Sequence, residues 1–302
     1  MSVTVLARPS AARLALGYLD LTKPRIVSLV VVTGVPALLM ARQGWPGSSV
    51  FWGTLLGTAL AAMSAACFNQ YLDRDIDALM RRTRTRPLPS GLVPPSHAIA
   101  LGVLLAALSW WVLVTRANLL AAALGMASIV YYAVIYTAWL KRRTPQNIVI
   151  GGGAGASAPL IAWVAVTGQV SPAAVLLSAI VFFWTPPHFW ALALYRSEDY
   201  VRARIPMLPV THGPEETRRQ ILAYALVLVP VTLALAPLHV VGPFYTVSAL
   251  VLGAIFIAGA FRLWRTGAIP HAVALFRYSI LYLFLLYACL TLDAALRARA
   301  TG

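Results

Sequence analysis

Three of the chain's nine acidic residues fall in one run at the end of an apolar segment, Asn69-Gln70-Tyr71-Leu72-Asp73-Arg74-Asp75-Ile76-Asp77. Asn69, Asp73 and Asp77 are spaced four apart, so a helix would carry them along one face, with about 6 Å of rise between neighbours. Asp75 is turned about 200° from Asp73 and leaves that face. Its expected partner is Arg74, Arg81 or solvent. Carboxylates in or beside hydrocarbon need a counter-charge, and a divalent cation with hard oxygen donors supplies one. Asp73 and Asp77, with the side-chain oxygen of Asn69, are therefore the candidate Mg2+ ligands.

Bases follow these acids closely. Arg81, Arg82, Arg84 and Arg86 come after the first cluster, and Arg196, Arg202 and Arg204 surround a second one at Glu198-Asp199. Lys141, Arg142 and Arg143 follow the fourth apolar segment. Carboxylates alone repel a polyanion, but carboxylates beside Arg and Lys can hold one through a bridging cation. Diphosphate fits that description, with Arg81, Arg86, Lys141, Arg142 and Arg202 as candidate contacts. A prenyl diphosphate combines this group with solubility in hydrocarbon. Its ionisation leaves an allylic cation, and magnesium with cationic side chains stabilises the departing diphosphate. Rings such as Tyr132, Tyr136, Phe183, Phe189 and Tyr195 are available to face the cation.

The elements that must position these groups are membrane spans. The chain is 60% hydrophobic and only 11% charged, with mean hydropathy +0.78, far from a soluble composition. Hydropathy predicts nine spans, at about 26–41, 48–71, 96–115, 117–139, 146–166, 172–194, 219–238, 241–261 and 275–296. Of 24 Lys and Arg, all but Arg42, Arg116, Arg297 and Arg299 fall in the N-terminal segment (1–24), in the even-numbered connections or at their edges. That asymmetry predicts a multi-pass protein of the cell membrane with the N-terminus and even-numbered connections on the cytoplasmic side. The net charge of +15 needs no nucleic acid, since lipid headgroups and an anionic substrate account for it. Cys67 and Cys289 lie within spans and form no disulfide framework. The whole of 1–302 reads as one domain with two long cytoplasmic loops, 73–95 and 195–218. Each loop opens on acids, continues with arginines and closes on prolines. Their spacing suggests a weak internal repeat of two four-helix units plus one helix, an arrangement that places a shared site between the halves.

At this point the residues resemble a family. Asn69-x-x-x-Asp73-x-x-x-Asp77 with Arg81-Arg82-Thr83-Arg84-Thr85-Arg86-Pro87 is similar to the first motif of the UbiA superfamily of intramembrane prenyltransferases. Tyr136-x-x-Trp139-Leu140-Lys141-Arg142-x-Thr144-Pro145-Gln146-Asn147 resembles that superfamily's lysine-bearing connection. Leu21-Thr22-Lys23-Pro24-Arg25, Thr185-Pro186-Pro187-His188-Phe189-Trp190 and Asp199-Tyr200-x-x-Ala203-x-Ile205-Pro206-Met207-Leu208-Pro209 look like its heme-farnesylating branch, the heme O synthases. The likeness covers about residues 15–295. It implies an all-α ring of nine helices around a central cavity, capped by the two loops and open sideways to lipid. It also implies farnesyl transfer from farnesyl diphosphate to a vinyl group of heme B, with water added, giving heme O and diphosphate. Asp73, Asp77, Asn69 and Lys141 are then the catalytic set.

The chain departs from the superfamily's second aspartate-rich motif. His188 and Tyr195 stand roughly where aspartates are expected, and Asp199 is the remaining candidate metal ligand there. His188 follows two prolines expected to break the helical ladder and is a candidate contact to the porphyrin or its iron. Lys23 and Arg25 are candidates for heme propionates or diphosphate, and Tyr195 for heme. Alternative readings are a quinone-type aromatic prenyltransferase, a membrane transporter and a noncatalytic assembly factor. A transporter for cations leaves the arginines beside the carboxylates unexplained. An insoluble heme product also makes a downstream heme-modifying enzyme or an oxidase assembly factor a candidate partner.

Overall fold

A computed structural model describes residues 10–301, with side chains placed through Arg299. Residues 1–9 of the expected N-terminal segment lie outside the described residues. The elements in order are α1 Ala11–Leu21, α2 Pro24–Arg42, α3 Ser48–Leu79, α4 Pro95–Arg116 and α5 Leu119–Val130. α5 runs on as a π-helix, Tyr131–Leu140. Then come α6 Asn147–Gly155, α7 Ser157–Thr167, α8 Pro172–Tyr195, α9 Ser197–Arg202, α10 Leu208–Thr211, α11 Gly213–Leu233, α12 Pro243–Thr266 and α13 Ile269–Thr301. No strand occurs among the described residues.

Among the described residues eight helical spans are long and apolar enough to cross a membrane, one made of α5 with the π-helix and one of α6 with α7. The remaining expected span coincides with α11, whose first turns carry Glu215, Glu216, Arg218 and Arg219 and dilute its hydropathy. The count of nine therefore rests on α11. Side chains on the outer faces, such as Trp52, Leu104, Val247 and Phe284, remain exposed, as expected of helices whose surroundings are hydrocarbon. α2 packs on α3, α7 and α13; α8 packs on α7, α11 and α13; and α12 packs on α11 and α13. First and last spans thus touch, and the helices close into a circuit.

α3 carries the acidic run and is tightly joined to α4. Small residues let the backbones approach: a Cβ on Gly57 would lie 2.5 Å from Leu113 Cγ. Ser64 Oγ donates to Gly102 O and Ser109 Oγ to Gly57 O, each at 2.7 Å, so both helices give and receive a hydrogen bond.

Several boundaries differ from the sequence reading. The loop expected from Asp73 begins only at Met80, because α3 stays helical to Leu79. Asn69, Asp73 and Asp77 are all buried, so protein rather than water supports those final turns. The loop expected at 195–218 is mostly helix: Tyr195 ends α8, α9 and α10 follow, and α11 starts at Gly213. Pro186 and Pro187 do not break α8, which runs through them. Within the N-terminal segment, 11–21 forms α1.

Contacts gather the charged connections at one end. Lys23 meets Asn69, Lys141 meets Asp73, and the Arg81 amide meets Asp199. Arg218 lies against Gly267 in the turn between α12 and α13.

Candidate active site

The last three turns of α3 present Asn69, Asp73 and Asp77 on the buried face, as their spacing requires. The Asn69 amide is clamped from three sides. Its Oδ1 accepts from Lys23 Nζ at 2.5 Å. Its Nδ2 donates to Asp73 Oδ2 at 2.7 Å and to Thr137 Oγ1 at 3.0 Å. Lys141 Nζ also reaches Asp73 Oδ2, at 2.5 Å. Asp73 Oδ1 is buried without any hydrogen-bond partner. One turn on, Arg86 Nη1 donates to Asp77 Oδ2 at 2.6 Å, and Thr83 Oγ1 fastens the same loop to Asp77 O at 2.9 Å.

Lys23 enters from the α1–α2 junction, where it adopts left-handed backbone (φ 50°). Gln70 holds that junction in place: its Nε2 donates to Asp20 O at 2.8 Å and Leu21 O at 3.1 Å, the C-terminal carbonyls of α1. Burial, reinforced by the charges of Arg86 and Lys141, pulls the Lys23 ammonium down to about 7, against the opposing pull of Asp73 and Asp77.

The π-helix brings Lys141 to Asp73. Its wider turn closes with Lys141 N donating to Tyr136 O, five residues back, at 2.8 Å. Room for its rings comes from α6, where a Cβ on Gly151 would lie 2.5 Å from the Tyr136 ring. Tyr132 and Tyr136 stack at 5.3 Å along the same helix. Arg142, expected at the diphosphate, instead forks onto Asp75 at 2.6 and 2.7 Å on the outer side of α3. Asp75 thus pairs with neither Arg74 nor Arg81.

The two cap segments face one another. Arg81 N donates to Asp199 Oδ1 at 3.2 Å, which buries Asp199 against the first loop. Asn147 Nδ2 donates to Thr144 O at 2.8 Å and, at 3.5 Å, to Pro206 O, tying the lysine-bearing connection to the second cap. The Arg81, Arg202 and Arg25 side chains are exposed around this end.

His188 belongs to another neighbourhood, the α8–α13 seam. Its ring lies between Trp184 (4.4 Å) and Phe276 (4.7 Å), and its Nδ1 is 2.7 Å from Ser279 Oγ. Tyr195 joins the cluster through an edge contact with Phe276 at 5.9 Å. Thr137, Gln70 and Ser279 escaped the sequence reading. Gln70 alone left a trace there, as a polar residue inside the acidic run.

The pattern of the UbiA prenyltransferase family matches residues 30–291. The chain belongs to that family. A protoheme IX farnesyltransferase of Pseudomonas putida (strain W619) is 51% identical over 91% of this chain and 93% of its own length. One of Roseiflexus sp. (strain RS-1) is 48% identical over 91% of this chain, but the chain spans only 52% of that relative's length. Among solved structures, digeranylgeranylglyceryl phosphate synthase superposes with TM-score 0.78 at 16% identity, over 93% of this chain and 98% of that one. A UbiA homologue from Archaeoglobus fulgidus bound to GPP and Mg2+ gives 0.61 at 18% identity, over 90% and 99%. These structural likenesses establish the UbiA fold.

The UbiA residues on α3 suit magnesium. Among the described residues no three His, Cys, Asp or Glu side chains cluster closely enough for an all-protein metal cage. Mg2+ rarely uses one; it favours one or two carboxylates, with phosphate oxygens and water completing its shell. The orphaned Asp73 Oδ1 is a buried anionic oxygen lacking a donor, which a cation would satisfy.

Proposed function

We propose that this UbiA-family chain transfers the farnesyl group of farnesyl diphosphate to a vinyl group of heme B, with addition of water, giving heme O and diphosphate. The observation that carries the diphosphate half is the pair of buried carboxylates, Asp73 and Asp77, each bonded to a flexible cation, with one oxygen left open. The names of relatives about half identical along nearly the whole chain support the heme half. Magnesium, held by Asp73, Asp77 and the Asn69 oxygen, would neutralise charge on the departing diphosphate. Asp199 is a further candidate ligand from the second cap.

The chain's own groups do the positioning. Lys141, Arg86 and Lys23 form a cationic rim around the carboxylates, and each can turn from its present partner toward phosphate oxygens. Arg81 and Arg202 extend that rim on the cap. As the allylic C–O bond breaks, negative charge grows on the diphosphate, and these cations, once turned onto it, stabilise it more than they stabilise the bound substrate. Tyr132 and Tyr136 line the inner approach from the π-helix and can shield the allylic cation. The vinyl carbon attacks that cation, the porphyrin spreads the resulting charge, and water captures it with loss of a proton. His188 and Tyr195, on the α8–α13 seam, are the proposed contacts to heme, with Lys23 or Arg25 near its propionates. The N-terminus and both caps face the cytoplasm in this reading, because the basic end of the bundle lies there.

The test is direct. Purified protein in detergent, given heme B, farnesyl diphosphate and Mg2+, should yield farnesylated hydroxyethyl heme by mass spectrometry, and EDTA should abolish it. Prenylation of a 4-hydroxybenzoate-type acceptor with no heme product would move the assignment to the quinone branch.

A further inference from the structure

Lys141 and Arg142 are consecutive residues that grip α3 from opposite sides. Lys141 Nζ reaches Asp73 on the buried face. Arg142 lies across the outer face: its Nη1 and Nη2 donate to the two Asp75 oxygens, and Nη2 also donates to Leu72 O at 2.8 Å. Leu72, next to Asp73, and Asp75, two residues on, are therefore both tied to the residue next to its lysine. This pair is solvated, with the Asp75 side chain 60% exposed and that of Arg142 38%. Exposed ion pairs contribute little to folding, so a three-bond fork at this place calls for another role.

That role follows from what holds Lys141. Its side chain is a flexible four-carbon stem, strongly dependent on where its root is fixed. The π-helix ends at Leu140; beyond it Lys141 N donates to Tyr136 O, and Lys141 O accepts from Asn147 Nδ2 only at 3.4 Å. Outside this seam lies an open depression of about 360 Å³ lined by Leu72, Arg74, Asp75, Thr137, Ala138 and Arg142. α3 and the π-helix touch on its inner side, where Asn69 bonds Thr137. At the outer edge the ion pair bridges them.

We propose that Asp75 and Arg142 are positioning residues that fix the Lys141 ammonium at the diphosphate end of the site. The proposal rests on the prenyl diphosphate reading above and deepens it. It also replaces the sequence expectation that Arg142 binds diphosphate directly. On that older view, freeing Arg142 from Asp75 would strengthen diphosphate binding or leave it alone. On the present one, losing Asp75 harms binding as much as losing Arg142.

The experiment is a double-mutant cycle on the full chain in detergent. Binding of inorganic diphosphate in the presence of Mg2+ is measured by calorimetry for wild type, Asp75→Asn, Arg142→Ala and the double variant. Each single change should weaken binding about tenfold, and the double variant should be no worse than either, as expected of strongly coupled neighbours. The KM for farnesyl diphosphate should rise in parallel while that for heme B stays fixed and thermal unfolding is unchanged. The charge swap Asp75→Arg with Arg142→Asp should regain part of the loss. Additive losses, or a loss at Arg142→Ala with none at Asp75→Asn, would overturn the proposal, as would a wild-type protein that binds no diphosphate. Coupled losses without any heme product would instead retire the heme assignment and leave the positioning role standing.

Discussion

Asp73 carries the densest set of demands in the chain. It accepts from Asn69 and Lys141 on one oxygen and offers the other, buried, to nothing. Asp73→Ala or Asp77→Ala should lower the rate of heme farnesylation by at least about 10²–10³-fold, the scale of losing one preorganised electrostatic contact. Asp75→Ala should be milder, and a mass-spectrometric assay of initial rates separates them. Equal losses at all three would refute the one-face arrangement. Lys141→Met tests the other side of the pair. It strands a buried carboxylate, a defect of about 3–5 kcal/mol, and added Mg2+ should recover part of the lost thermal stability by occupying the vacancy. At this scale the acidic stripe was legible because helical period alone decides which of four neighbouring polar residues share a face. Arg142's partner was not legible, since Asp75 lies 67 positions away and nothing local favours it over Arg74 or Arg81.

Among the elements, the π-helix and α1 do the most to place side chains they do not themselves supply to the metal. Gly151→Ala would push against the Tyr136 ring and should cost about 1–3 kcal/mol by overpacking, read as a lowered unfolding temperature. Gln70→Leu removes both bonds that hold the end of α1, each worth about 1 kcal/mol. Amides at Asp20–Lys23 should then exchange faster in deuterium-exchange mass spectrometry, with the membrane spans unaffected. Hydropathy located the spans well because lipid contact demands unbroken apolar runs. It shortened α3, whose end passes into the polar interior, where Asp73 and Asp77 stay helical through Lys141 and Arg86; at α11 the charged first turns pair within the helix, Glu216 with Arg219 and Gln220. Pro186 and Pro187 misled for a related reason: a helix held by α7, α11 and α13 tolerates the lost donors.

At the level of the molecule, one end of the bundle collects the acids of both caps and nearly all the bases, while Arg42, Arg116 and Arg297 mark the other. A membrane-impermeant maleimide should therefore label Ser49→Cys in intact cells, and Ser90→Cys only after the cytoplasmic face is opened. Both positions are exposed, and the native Cys67 is buried. The reverse pattern would overturn the topology. Charge asymmetry gives the sidedness expectation its basis in the sequence, whereas the meeting of the caps through Arg81 and Asp199 has none there, because the bond uses a backbone amide that every residue possesses.

The contact between α2 and α13 has a consequence in time. Chains are made from the N-terminus at about 5–20 residues per second, so Lys23, the acidic turns of α3, the first cap and Lys141 exist well before Ser279 is synthesised. The carboxylates can find their cationic partners early, within the first half of the chain. The wall bearing His188 waits for the final helix. A nascent intermediate would thus hold its polar network internally neutralised while one flank still faces lipid, and the last span to insert would be the one that seals it.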